Sequence, residues 1–279
     1  MKIALGTAQF GLDYGVTNKQ GQVSLEEIER ILAMSASNGI RILDSAIAYG
    51  ESEKVLGQFD LSSFEVISKI PSIAQTSISM EELVEGSLER LKIERLYGLL
   101  MHDENDAEIK QFEILHELKN QGLVRKVGAS FYSPEKAVIA IETGMVDLIQ
   151  IPANQLDSRF EQAGVYTLAD EYGVEVHVRS IFLQGLLAVE NADRPQRFQH
   201  HPDLINFDKC ALSLGVSPFE LALMYLHNNK SVDYGVLGCV NVKQFEEILR
   251  TYNALTVAVE RDVPQLSSSD DILLNPSKW

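Results

Sequence analysis

Short apolar runs alternate along the chain with longer amphipathic segments, and the alternation repeats eight times. Ile3-Ala4-Leu5 is the first strand candidate, ending at Gly6-Thr7. Ser24 with Glu27 three residues on predicts a capping box. The helix it opens carries Ile28, Ile31 and Leu32 at helical spacing, and Gly39 ends it. Strands are predicted over Ile40 to Leu43, Phe64 to Ser68, Leu96 to Met101, Val124 to Ala129, Val146 to Ile151, Val174 to Val178 and Tyr234 to Leu237. Helices are predicted over Ser52 to Leu56, Met80 to Leu91, Ala107 to Lys119, Pro134 to Glu142, Gln162 to Tyr172 and Lys243 to Leu255. The stretch from Ile181 to Ser231 breaks the rhythm, with a loop around Arg194-Pro195 and helices near Leu204 to Leu214 and Pro218 to His227. A polar, Ser-rich tail runs from Asp262 to Ile272-Leu273-Leu274.

Eight strands, each followed by helix, predict a (β/α)8 barrel. The rival, a doubly wound sheet, shares the parallel crossovers, but no GxGxxG follows the first strand. No Pro/Gly-rich linker divides the chain, so residues 1–279 are expected to form one barrel domain.

Composition narrows the partners. Lys+Arg 24 against Asp+Glu 40 gives a net charge of -16, which argues against a nucleic acid or an anionic membrane as the main partner. Cys210 and Cys239 belong to no CxxC or Cys/His cluster, so neither a disulfide framework nor a zinc site is expected. The start of the chain lacks a long apolar core, and no apolar run approaches the ~20 residues that span a bilayer. The expectation is a soluble cytoplasmic protein.

In a barrel, reactive groups sit at the C-terminal ends of strands. Asp44 follows the second strand with Tyr49 in the loop beyond, Lys69 ends the third and His102 the fourth. Singly, each has an ordinary structural explanation; convergence on adjacent strand ends is what a site requires. The set suits protonation of a carbonyl oxygen during hydride addition. Tyr49 would give the proton, Lys69 would favour its phenolate, Asp44 would hold Lys69, and His102 would polarise the carbonyl.

These residues lie in segments that resemble the aldo-keto reductase family: LGTAQFG (Leu5 to Gly11), ILDSAIAYGESEKVLG (Ile42 to Gly57), ISK (Ile67 to Lys69), LLMHD (Leu99 to Asp103), GLVRKVGAS (Gly122 to Ser130) and QGLL (Gln184 to Leu187). The resemblance implies the barrel, a nicotinamide cofactor, NADP(H) or NAD(H), bound without a Rossmann motif, a small carbonyl substrate, and a catalytic tetrad of Asp44, Tyr49, Lys69 and His102. It places Gly6 and Thr7 beside the cofactor. Ser130 and Gln150 match carboxamide ligands of the family, whereas Phe131 stands where the family has Asn. Arg179, with Ser180 after it, takes the place of an aromatic that stacks on the nicotinamide. A guanidinium can stack, but beside an oxidised, positive ring it suits a substrate anion or a cofactor phosphate better. Gly238, Asn241, Lys243 and Gln244 fall on the phosphate-binding turn, and only Lys243 brings a cation there, so both dinucleotides stay open.

Other features are plainer. His200-His201 has no partner that would make a metal site. The Tyr14 loop is expected at the barrel mouth. Phe131, Tyr132 and Phe182 are candidates for pocket wall or core, and Trp279 for an anchor of the tail. The tail is short, so a fairly open pocket is expected. Two other readings remain open: a non-catalytic nicotinamide-binding regulatory protein on the same fold, and a metal-dependent barrel enzyme, which one strand-end His serves poorly.

Overall fold

The computed structural model describes residues 2–257 and 263–279; Asp262, where the polar tail was expected to begin, lies outside the described residues. Eight parallel strands close into a barrel in chain order. They are β1 (Ile3–Gly6), β2 (Ile42–Asp44), β3 (Glu65–Ile70), β4 (Leu96–Met101), β5 (Val124–Ser130), β6 (Leu148–Pro152), β7 (Glu175–Arg179) and β8 (Tyr234–Gly238). The helices are α1 (Ala8–Gly11), α2 (Leu25–Ser37), α3 (Ser52–Leu56), α4 (Met80–Leu91), α5 (Ile109–Asn120), α6 (Pro134–Glu142), α7 (Arg159–Gln162), α8 (Val165–Tyr172), α9 (Pro202–Leu214), α10 (Pro218–Asn228), α11 (Val242–Val257) and α12 (Asp271–Leu274). This is the (β/α)8 barrel that the alternation predicts.

The helices form where apolar periodicity meets a cap. In α2, Ile28, Ile31 and Leu32 are buried, and the Ser24 side chain accepts from the Glu27 amide. The expected reciprocal half of that capping box is absent. The Glu27 carboxylate instead accepts from the Val242 amide at 2.5 Å, joining α2 to the start of α11. A complete capping box does form at Ser79 and Glu82, opening α4. The helix expected over Gln162 to Tyr172 is two pieces, α7 and α8, because Gly164 takes φ +75° between them.

Strand side chains alternate, so half of each strand fills the barrel interior. Ala4, Ile42, Ile67, Leu100 and Leu148 form an apolar plug. Below it, Glu175 accepts from Tyr97 at 2.8 Å, contacts His177 at 2.5 Å and pairs with Lys126. Burial opposes the Glu175 charge, but these partners win and hold its carboxyl down to about 2. The plug keeps this lower polar cluster apart from the C-terminal mouth, where the candidate site lies.

Candidate active site

The loop after β2 is fixed by a chain of hydroxyls. Thr7 Oγ1 donates to the Asp44 carbonyl at 3.0 Å, and Ser52 Oγ lies 2.9 Å from both the Thr7 carbonyl and Thr7 Oγ1. Gly11 lets α1 press against the same loop: a Cβ there would stand 1.9 Å from the Tyr49 carbonyl oxygen. Behind it, the buried Glu53 carboxylate takes Ser68 Oγ at 2.5 Å and Arg90 Nε at 2.8 Å. The Tyr49 backbone is therefore held from β1, β2 and α3.

Tyr49, Lys69, Asp44 and His102 meet at this mouth. Lys69 is fully buried; its Nζ donates to Asp44 Oδ1 at 2.7 Å and to the Ser45 carbonyl at 2.9 Å, and it reaches Tyr49 Oη at 3.4 Å. The other Asp44 oxygen accepts from Gln150 Nε2 at 2.7 Å. The His102 and Tyr49 rings meet edge to face, with centroids 5.8 Å apart.

The electrostatics correct one expectation. Despite the Lys69 ammonium 3.4 Å away, the Tyr49 phenol does not stand below its ordinary range. Burial and then the Asp44 carboxylate push it well above the ordinary tyrosine range. The Tyr49 ring is partly exposed to the cavity, and its hydroxyl lies against the fully buried Lys69. Burial also lowers Lys69, with Asp44 pulling the other way. Burial, then Lys69 and Arg179, bring His102 down to about 4, leaving its imidazole neutral near pH 7.

Asp44, Tyr49 and His102 line a cavity of about 610 Å³, within the usual range for small-molecule sites. Lys69 lies behind its wall. The ten residues that the resemblance places beside the cofactor all line the same cavity. Gly6 and Gly238 pair across β1 and β8 and leave bare backbone in its wall. Ser130 and Arg179 end β5 and β7, Ser180 follows Arg179, and Gln150 lies within β6. Asn241, Lys243 and Gln244 lie at the start of α11, where Asn241 Oδ1 caps the Gln244 amide and Gln244 Oε1 accepts from the Val240 amide. The cavity thus runs from the four titratable groups to a helix N-terminus beside a lysine, which suits a long molecule with an anionic middle. These residues fit a nicotinamide dinucleotide.

Tyr14, Tyr132 and Phe182 line the cavity, as their positions suggested, and Phe182 stacks on Phe219 with centroids 5.1 Å apart. Phe131 is core, fully buried. Trp279 anchors the tail: its ring packs on Phe198 and its Nε1 donates to the Ile272 carbonyl at 2.6 Å. None of the described tail residues lines the cavity. Lys19 and Gln20 line it from the Tyr14 loop expected at the mouth, whereas Asp193, in the loop after β7, gave no signal in the sequence. Sequence reasoning also missed Asn154, whose Nδ2 holds the Ser180 carbonyl at 3.1 Å where Ser180 takes φ +64°. A strained non-glycine backbone beside a cavity is a pointer to function, but no local pattern announces it. Among the described residues no His/Cys/Asp/Glu cluster is arranged for a metal.

A cavity at the C-terminal mouth of a (β/α)8 barrel, with titratable groups gathered at one end, is the arrangement of a small-molecule barrel enzyme. The chain belongs to the aldo/keto reductase family, whose sequence pattern matches residues 2–270. It is 23% identical over 225 residues to an aldo-keto reductase of Mycobacterium sp. strain KMS, a match spanning 67% of this chain and 82% of that protein. It is 25% identical over 189 residues to the chloroplastic pyridoxal reductase of Arabidopsis thaliana, spanning 58% of this chain and 52% of that one. The holo form of an aldo-keto reductase from Bacillus halodurans shares the fold, with a TM-score of 0.75, 20% identity, and coverage of 95% of this chain and 89% of that one.

Proposed function

We propose that this protein is an NAD(P)(H)-dependent oxidoreductase that interconverts the carbonyl of an aldehyde, ketone or sugar with the alcohol, and that Tyr49 is its proton donor. The observation that carries the reading is the meeting of Tyr49, Lys69 and Asp44 at hydrogen-bond distances beside a cavity that His102 also lines. Residues 1–279 are read as one domain, because β1 and β8, near opposite ends of the chain, pair with each other.

When bound, the nicotinamide supplies the hydride for the carbonyl carbon. Ser130 and Gln150 would hold its carboxamide, Arg179 and Ser180 would border the ring, and Gly6, Thr7, Gly238, Asn241, Lys243 and Gln244 would border the rest of the dinucleotide. The chain's own groups manage the proton. Tyr49 Oη stays protonated at neutral pH and gives its proton to the carbonyl oxygen as negative charge grows there. The phenolate left behind is stabilised by the Lys69 ammonium 3.4 Å away, which Asp44 keeps charged and oriented. A neutral His102 can donate one ring N–H to the same carbonyl oxygen. Such a proton donor contributes ~10² to 10⁴ in rate.

Tyr49→Phe tests the reading. We expect fluorescence titration with NADH and NADPH to show binding retained, and turnover of aldehydes and sugars to fall by roughly 10²-fold or more. Undiminished carbonyl reduction by Tyr49→Phe would overturn the role. Tight cofactor binding by the wild type with no oxidation across a broad carbonyl panel would favour the regulatory alternative.

A further inference from the structure

One charge in this cavity has no part in the proton transfer. Arg179, the last residue of β7, rests on neutral partners. Its Nε donates to Ser130 Oγ and its Nη2 to the Phe131 carbonyl, both at 3.4 Å, and its guanidinium carbon lies 4.1 Å from the centre of the Tyr132 ring. Among the described residues no carboxylate forms an ion pair with it, and its Nη1 has no hydrogen-bond partner. The deeply buried cations differ: Lys69 is paired with Asp44, and Arg194 with Asp208 at 2.5 Å.

The position is built from several elements. The Glu104 carboxylate accepts from the Tyr132 amide at 2.6 Å and the Ser133 amide at 2.8 Å, which fixes the backbone of the ring beneath the guanidinium. Asn154 holds the carbonyl of Ser180, the next residue along the chain. Arg179 acts on the reacting centre, disfavouring charge on His102 and Lys69. Asp193 and Glu247 also line the cavity. The cations suited to cofactor phosphates, Lys243 and Lys19, belong instead to the start of α11 and to the loop that Gln20 joins to Asn241.

We propose that Arg179 is a specificity-determining residue that binds a carboxylate on the substrate, so that the preferred substrate is a carbonyl compound bearing a carboxylate within reach of its carbonyl group. The inference rests on the reductase reading of the same cavity. A guanidinium offers planar donors matched to a carboxylate. Pairing supplies the counter-charge that the protein leaves out. It also offsets the repulsion between Arg179 and an oxidised, positively charged nicotinamide.

The test compares carboxybenzaldehyde with its uncharged methyl ester at saturating NADPH or NADH. It is paired with calorimetric titration of the cofactor-free protein with benzoate and with benzamide. We expect the wild type to favour the acid by about 10- to 100-fold in kcat/KM, the range of a hydrogen bond to a charged group. Arg179→Gln should bring the ratio close to one, and Arg179→Lys should restore part of it. Benzoate should bind the wild type more tightly than benzamide, and Arg179→Gln should abolish the difference. A wild-type ratio near one, or a ratio and benzoate affinity that survive Arg179→Gln, would overturn the inference. So would an Arg179→Gln variant that loses NADPH affinity while keeping the substrate ratio. If the wild type turns over neither aldehyde nor any other carbonyl, the reductase reading falls, and the benzoate titration still decides whether Arg179 binds a carboxylate.

Discussion

His102 shows how burial can store stability that acid removes. In an unfolded chain a histidine takes up a proton near pH 6.5, whereas His102 in the fold does so only near 4, because burial and the cations Lys69 and Arg179 disfavour its charge. Between those values the unfolded chain holds more protons, so stability falls as pH falls. The contribution is full above about pH 6.5 and is lost progressively toward pH 4. Its size is at most roughly 3 kcal/mol, since each pKa unit is worth about 1.4 kcal/mol and His102 keeps some exposure. We expect urea unfolding at pH 7 and pH 4 to show the wild type losing up to that much more stability than His102→Gln. Parallel losses in the two proteins would show that His102 titrates normally in the fold. The Tyr49 phenol illustrates the converse limit on sequence reasoning. A nearby lysine was legible, but the burial of the phenol and the Asp44 carboxylate beside it, which together outweigh that lysine, exist only in the fold.

Where an element had both a cap and a strong period, its bounds could be read from the sequence: Met80–Leu91, Pro134–Glu142 and the strand Leu96–Met101 match the structure. The reading slipped where tertiary pairing sets the limits. β2 was expected from Ile40 but runs Ile42–Asp44, because its register is set by pairing with Glu65 to Ile67 of β3. The four residues of α1 carry no period. How the cavity's loops join one another was illegible for a similar reason, since the contacts joining Thr17 to Gln184 and Gln20 to Asn241 link distant parts of the chain. The tetrad was legible because each of its members sits at or just beyond a strand end. Gly128 shows what closing the barrel demands of one strand. It pairs with Leu148 across β5 and β6, and a Cβ there would stand 1.7 Å from the Leu148 carbonyl oxygen. Backbone cannot swing aside as a side chain can, so Gly128→Ala should reach the upper end of overpacking costs, about 3 kcal/mol. Thermal and urea unfolding would measure it. A loss under about 0.5 kcal/mol, the scale of a neutral surface change, would mean that the strands separate easily there.

At the scale of the whole molecule, the net charge of -16 and the cation inside the cavity act at different ranges. The overall field repels an approaching anion over a distance set by salt, roughly 30 Å at about 0.01 M and about 10 Å at about 0.1 M. Contact with Arg179 is made inside the half-enclosed mouth, where screening is weaker. Salt should therefore help a carboxylate-bearing substrate reach the site before it harms the bound pair. With cofactor saturating, we expect kcat/KM for carboxybenzaldehyde to rise a few-fold, roughly 2- to 5-fold, between those salt concentrations, as charge steering of association allows, while the methyl ester stays flat. A steady fall for the acid across that range would mean that cations near the mouth, Lys19 and Lys243 among them, outweigh the rest of the surface. The shape of the salt profile thus separates what the whole surface does to the encounter from what one guanidinium does once the substrate has arrived.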